Sequence, residues 1–471
     1  MYEEQISAYF DDPARQRELV DAVCRLVSIR SVAEAPLPGK PFGEGPAMVL
    51  EEALALCGEM GFATGNCDGY VGTADLNGLP TQLHILGHLD VVGEGKGWDS
   101  DPYAPIEKDG LLIGRGVADD KGPMVAALFA MKAVRDLDIP LRYNVRAILG
   151  TDEESGSSDI AYYFARNPYA PYTFSPDADF PVINIEKGHY HPDFGMRWAH
   201  SNALPRVTAM TGGFRTNVVP PEAQAALAGL TVGDVEPLLA AVSAETGAAF
   251  TVEEREGGVT VLAMGRNAHA STPDEGCNAI TALLALLSRL PLADCGSTGA
   301  VGALHALFPH GDNAGRALGI AQSDGLSGAL TLNFAILSLD ETGFTGKFDV
   351  RYPICADENN CKKVCEASFA KHGIAVTGDG EMAPGPHHTS ADSPFVRTLL
   401  DCYVRYTGDT DAKPLAIGGG TYVHDIPGGV AFGCQMPGFD PKMHGANERI
   451  PVADLVTSCK IFAQAIAELC G

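Results

Sequence analysis

Positive charge is scarce in this chain. Lys and Arg number 33 against 60 Asp and Glu in 471 residues, a formal net charge of −27. Such an excess repels phosphate backbones and anionic lipid, so neither nucleic acid nor a membrane surface is an expected partner. Also missing is any apolar run approaching the ~20 residues that a membrane helix needs. The start, Met1-Tyr2-Glu3-Glu4-Gln5, has neither a basic n-region nor an apolar h-region. The twelve cysteines show no C-x2-C spacing, and the closest pair, Cys361 and Cys365, falls on an expected helix, so neither a zinc knuckle nor a disulfide framework is indicated. Internal repeats and low-complexity tracts are absent as well. The expectation is a reduced cytoplasmic protein, long enough to need at least two domains.

What the chain does have is acid gathered into motifs. Five short segments carry carboxylate or imidazole: Gly87-His88-Leu89-Asp90, Ala118-Asp119-Asp120-Lys121-Gly122, Thr151-Asp152-Glu153-Glu154-Ser155, Pro176-Asp177-Ala178-Asp179 and Met443-His444-Gly445. Two imidazoles and three carboxylates are a ligand set that borderline-hard divalent ions accept, with acids left over to act as base and ligand orienter. Hydrolysis is the implied chemistry, since it needs a ligand and a general base side by side. On a strand, His88 and Asp90 share a face, which suits a carboxylate that holds the second ring nitrogen. Asp119 and Asp120 are adjacent, so one is expected to bind metal and the other to make a structural contact. Glu153 and Glu154 can divide the tasks of base and ligand. Each segment alone has an ordinary reading: a strand-end pair, an acidic helix start favoured by the dipole, a solvated loop or a structural histidine. It is their coincidence that argues for a site.

The surrounding pattern places these segments at element junctions. Asp12-Pro13 followed by Leu19, Val20, Val23, Leu26 and Val27 predicts a capped helix, and Met124, Ala127, Leu128 and Met131 predict another beginning near Pro123. Leu83–Leu86 and Val145–Leu149 have strand character and end at acidic motifs, where ligands collect in open α/β sheets. From about residue 188 the texture changes to strand (Val259 to Met264), helix (Asn278 to Leu290), strands (Ala329 to Leu337, Gly346 to Tyr352), helix (Asn359 to Lys371) and strand (Ile374 to Thr377). This βαββαβ order suggests a ferredoxin-like insertion. Along the strand at 329–337, Leu330, Leu332, Phe334 and Ile336 alternate as one packed sheet face requires. The first domain resumes after Pro384 and ends in a helix from Val452 to Leu469.

In Gly87-His88-Leu89-Asp90-Val91-Val92, Gly114-Arg115-Gly116-Val117-Ala118-Asp119-Asp120-Lys121-Gly122, Gly150-Thr151-Asp152-Glu153-Glu154-Ser155 and Met443-His444-Gly445-Ala446-Asn447-Glu448, the chain resembles the M20 metallopeptidases, and within them the PepV-type bacterial dipeptidases. The resemblance implies an α/β fold: a zinc-peptidase-like mixed sheet flanked by helices over 1–187 and 385–471, and an inserted α+β ferredoxin-like lid over 188–384. It implies two zinc ions, with manganese or cobalt as substitutes. His88, Asp119, Glu154, Asp177 and His444 would be the ligands, Asp119 bridging and followed by a cis peptide. Asp177 is preferred to Asp179 on its spacing from Glu154. Glu153 would be the general base, Asp90 would orient His88, and His269 would contact the scissile carbonyl oxygen. Asn217 and Arg351 match substrate-binding positions, and Gly418, Gly419, Gly420 and Thr421 would offer backbone donors to a substrate carboxylate. The expected activity is hydrolysis of unblocked L-dipeptides by a monomer, with a dimer as the variant. An N-acyl amino acid deacylase or desuccinylase is the alternative on the same scaffold, and a non-catalytic metal-binding relative is the reading from another class.

Overall fold

The computed structural model describes residues 2–378 and 380–471. It divides into two compact units: Met1–Ile185 with His387–Leu415 and Gly420–Gly471, and Glu186–Pro386 with Ala416–Gly419.

The first unit is built on a mixed sheet. Its strands run in the order Ala63–Cys67, Val71–Asp75, Asn144–Gly150, Thr81–His88, Tyr172–Ser175, Val430–Ala431, Ile183–Glu186 and His387–His388. Thr81–His88 is parallel to both neighbours, with His88 opposite Gly150 on one side and Ile85 opposite Phe174 on the other. Its side chains alternate between two apolar layers. Leu83 and Ile85 join Val145, Ala147 and Leu149 in the larger core, which includes helices Pro13–Val27, Lys121–Asp136 and Val452–Cys470. Leu86 and Ile148 face the other way, against Ile160, Tyr163 and Tyr422. A strand covered on both faces reads as a continuous apolar run, which is why Leu83–Leu86 was legible as a strand.

The predicted helices are present with local causes. Asp12 caps Pro13–Val27 by accepting from the Ala14 amide at 2.9 Å, and Pro13 holds the first helical position. Lys121–Asp136 starts two residues before Pro123 and is buried along almost its whole length. Its close approach depends on Gly87, where a Cβ would lie 2.1 Å from Asp120 Oδ2 and 2.5 Å from Met124 Sδ.

The second unit corrects the βαββαβ expectation by enlarging it. An antiparallel sheet runs Ala249–Arg255, Gly258–Met264, Glu222–Ala228, Arg206–Gly212, Thr331–Leu339, Gly343–Tyr352, Asp193–Arg197 and Ala375–Val376, and Gly188–Tyr190 also pairs with Gly343–Tyr352. Helices Val232–Thr246 and Gly296–Leu307 were not anticipated either. Glu222–Ala228 shows why: its sequence, EAQAALA, consists of good helix formers, yet Ala223, Ala225 and Leu227 are buried at a period of two. Cross-strand pairing overrides the local preference. The alternation expected through Ile336 is also corrected, because the pairing of Thr331–Leu339 with Gly343–Tyr352 shifts register between Phe334 and Ile336. After that bulge Leu337 and Leu339 enter the core in place of Ile336. Among the described residues, no helix is long and apolar enough to cross a membrane.

Candidate metal centre and active site

Three adjacent parallel strands deliver three motifs to one edge. Thr81–His88 ends at His88 and runs on to Asp90, Asn144–Gly150 runs on to Glu153 and Glu154, and Tyr172–Ser175 runs on to Asp177. Parallel strands in register end together, so residues 60–90 positions apart in the chain emerge side by side at the carboxyl end of the sheet. Asp119 arrives from the start of the buried helix Lys121–Asp136, and its peptide bond to Asp120 is cis.

Asp119 lies between two imidazoles. Its Oδ1 is 2.9 Å from His88 Nε2, and its Oδ2 is 2.9 Å from His444 Nε2. Asp177 Oδ2 stands 3.6 Å from His88 Nε2, while Glu154 Oε1 stands 3.3 Å from His444 Nε2. Donor atoms of His88, Asp119 and Glu154 lie within 4.8 Å of one another, as do those of His88, Glu153 and Asp177. Asp179, the acid passed over on spacing, is exposed. Asp120 makes a structural contact, accepting from the His88 amide at 3.1 Å.

Asp90 departs from its expected role. The hydrogen bond to His88 Nδ1 is made by the Asp90 carbonyl oxygen at 2.9 Å, with the carboxylate farther off at 3.5 Å. The carboxylate instead accepts from the amides of Glu153 and Glu154, at 3.2 and 3.1 Å. The chain leaves its strand at His88, so the same-face geometry of a strand no longer applies at Asp90. One residue therefore anchors both an imidazole and the turn that carries two glutamates.

The electrostatics are those of a cation site. Asp90, Asp119, Asp120, Glu153, Glu154 and Asp177 gather about two imidazoles. Burial, then the charge of Asp119, pushes Asp177 up to about 7. Burial raises Glu153 well above the carboxylate range, with Asp177 and Glu154 adding to it against the opposite pull of His88. Burial alone would raise Asp119, but hydrogen bonds from His444 and His88 hold it low. Glu154 Oε1 and Asp120 Oδ1 are buried without a hydrogen bond. Excess acid, mixed imidazole and carboxylate donors and orphaned oxygens all suit borderline-hard divalent metal. His444 sits in the left-handed backbone region at φ 59°, a conformation costing about 1–2 kcal/mol in a residue with a Cβ.

Two supports were not picked out from the sequence. Glu448 is fully buried; its Oε1 accepts from the amides of Gly116, Ala118 and Asp119 at 2.9–3.2 Å, and its Oε2 accepts from Arg115 at 2.7 Å. Arg115 also donates to the Gly445 carbonyl at 3.1 Å, joining the Asp119 loop to the His444 loop. Both lie inside the quoted motifs, so their position was a signal although their role was not. Asp159 accepts from the Thr151 and Asp152 amides at 2.6 and 3.2 Å and from the Tyr422 hydroxyl, fixing the start of the glutamate turn. Nothing in its sequence neighbourhood marks it.

In the second unit, segment 216–219 lies against 268–270. The Asn217 carbonyl accepts from the Ala270 amide at 2.9 Å, and Val218 bridges His269. Asn217 and His269 are thereby neighbours. His269 Nδ1 accepts from the Ser271 amide at 3.2 Å, so in the neutral ring the proton sits on Nε2, the tautomer a carbonyl-contacting donor needs. Arg351 is more engaged than expected, bonded to Asp349, His189 and the Gly418 carbonyl. The Gly418 carbonyl thus accepts from Arg351. Gly418 and Gly419 belong to this unit, while Gly420 and Thr421 belong to the first, where Thr421 caps the turn Tyr422–Asp425.

The donor set gathered at this sheet edge suits metal-assisted hydrolysis, and comparison with known proteins gives the family. Residues 84–468 match the model of peptidase family M20/M25/M40, and the chain belongs to that family. A relative from Bacillus subtilis (strain 168) that carries a dipeptidase name is 35% identical over 466 residues, covering 97% of this chain and 98% of its own. The Beta-Ala-Xaa dipeptidase of Lactobacillus delbrueckii subsp. lactis is 32% identical over 434 residues, covering 91% and 90%. The crystal structure of human carnosine dipeptidase 1, 18% identical, shares the fold with a TM-score of 0.59 over 100% of this chain and 99% of that one. The protein is thus a peptidase of this family, a hydrolase acting on peptide bonds.

Proposed function

We propose that the protein is a dizinc dipeptidase that cleaves unblocked L-dipeptides with Glu153 as general base. The observation that carries this reading is the placing of Asp119 between two imidazoles, His88 at one oxygen and His444 at the other, with Asp177 near His88 and Glu154 near His444. A pair of divalent ions held there would supply Lewis-acid polarisation of the peptide carbonyl and a more acidic water. Glu153, half-buried near His88 and Asp177, takes the proton of the attacking water and passes it to the leaving amine. His269 donates from Nε2 to the carbonyl oxygen as negative charge develops on it. Arg351 meets the C-terminal carboxylate of the substrate, with Asn217 and the 418–421 segment completing the contacts.

We further read the enzyme as a cytoplasmic monomer, its inserted unit acting in cis. A panel of free dipeptides and N-acetyl amino acids, run on protein reloaded with zinc, manganese or cobalt, tests the assignment. Turnover of the free dipeptides is expected, and turnover of the blocked compounds alone would sink it. Light scattering of the purified chain decides the oligomeric state.

A further inference from the structure

We propose that Asp349 is the positioning residue that gives the enzyme its preference for a free C-terminal carboxylate, by holding the Arg351 guanidinium in a fixed plane. This rests on the reading of Arg351 as the group that meets that carboxylate. Both residues lie on strand Gly343–Tyr352, two positions apart and so on the same face. Asp349 is 0% exposed and Arg351 is 5% exposed. The pair is bidentate: Arg351 Nε donates to Asp349 Oδ1 at 2.7 Å and Nη2 donates to Oδ2 at 2.9 Å.

Three further contacts restrict the same group. His191 Nε2 lies 2.9 Å from Asp349 Oδ1, a second contact on the oxygen that accepts from Arg351 Nε. His189, directly across the ladder from Arg351, places Nε2 2.6 Å from Arg351 Nη1. Guanidinium nitrogens only donate, so His189 Nε2 accepts. The second Nη1 hydrogen goes to the Gly418 carbonyl at 2.8 Å. Of the five N–H donors of an arginine, these contacts account for four, and the remaining one is on Nη2.

A guanidinium is planar, so fixing four donors fixes the direction of the fifth. A substrate carboxylate then receives one charge-assisted bond from a group that cannot turn away, and the charge of Arg351 favours an anionic terminus over a neutral amide. Asparagine at 349 would keep one acceptor and lose the second along with the charge, leaving the plane held chiefly through Nη1 by His189 and the Gly418 carbonyl and so less firmly fixed.

The test compares each dipeptide with its C-terminal amide. In the metal-loaded enzyme, kcat/KM for the free acid should exceed that for the amide. Asp349→Asn is expected to cut that ratio by at least about tenfold, the loss of one hydrogen bond to a charged group, through KM of the free acid and with little change for the amide. A merely structural role would lower both substrates equally and overturn the proposal. His191→Ala, at a partly exposed position, should cut the same ratio by about threefold. It decides the matter where Asp349→Asn is insoluble, and an unchanged ratio in the soluble variant overturns the proposal. Arg351→Gln separates the two readings. If Arg351→Gln leaves the ratio intact, the assignment of Arg351 itself is wrong; if it abolishes the ratio while Asp349→Asn does not, only the role of Asp349 is wrong.

Discussion

The two units assemble their chemistry by different means. In the first, His88, Glu153, Glu154 and Asp177 sit just beyond the ends of three parallel strands, whose register sets their mutual distances, while Asp119 comes from the start of a helix and His444 from a loop. In the second, Asn217, His269 and Arg351 come from separate segments, held by the Asn333 side chain on the neighbouring Val218 carbonyl, by the Ser271 amide on His269 and by the Asp349 carboxylate on Arg351. A strand-end site tolerates change in its surroundings so long as the sheet survives. A site hung on single contacts is only as well placed as each contact.

The comparison predicts a hierarchy of losses. Asp119→Ala removes the carboxylate between both imidazoles, and should abolish bound metal, read by elemental analysis, together with turnover. Glu153→Gln should keep the metal and lose about 10³-fold in kcat, the usual scale for a general base; unchanged activity would refute the assignment. Glu448→Leu breaks a buried pair and orphans three amides, and should cost about 3–5 kcal/mol in urea unfolding of the first unit. Burial, then the charge of Arg146, lowers His84 from its ordinary 6.5 to about 4. Its neutral form is the folded form, so the unfolded chain binds the extra proton. Stability is therefore intact above pH 6.5 and falls between 6.5 and 4, by about 3 kcal/mol. The unfolding midpoint of a His84→Phe variant should fall less steeply than that of the unaltered chain over this range. The smallest effect sharpens the contrast. Asn333 donates to the Val218 carbonyl at 3.0 Å, and Asn333→Leu should lower kcat/KM about tenfold with metal content unchanged.

Legibility followed the same division. Two of the first unit's motifs could be read because they join a strand run to acids, as in Leu83–Leu86 followed by His88 and Asp90. Strand Glu222–Ala228 was hidden by its helix-forming composition, and the bulge after Phe334 left no mark in a chain that alternates through it. Asp90 was assigned to the right imidazole but by the wrong atom, because its backbone had already left the strand.

From its sequence alone this chain carried its acids in five motifs, the strand runs that precede two of them and the resemblance that joins them. Those are local properties, encoded in neighbouring residues. Only the tertiary structure decided that Asp119 lies between His88 and His444, that Glu448 ties their loops together and that Arg351 is locked by Asp349. Each of those depends on which distant backbone segments pair and in what register, and on which polar groups burial obliges to find a partner.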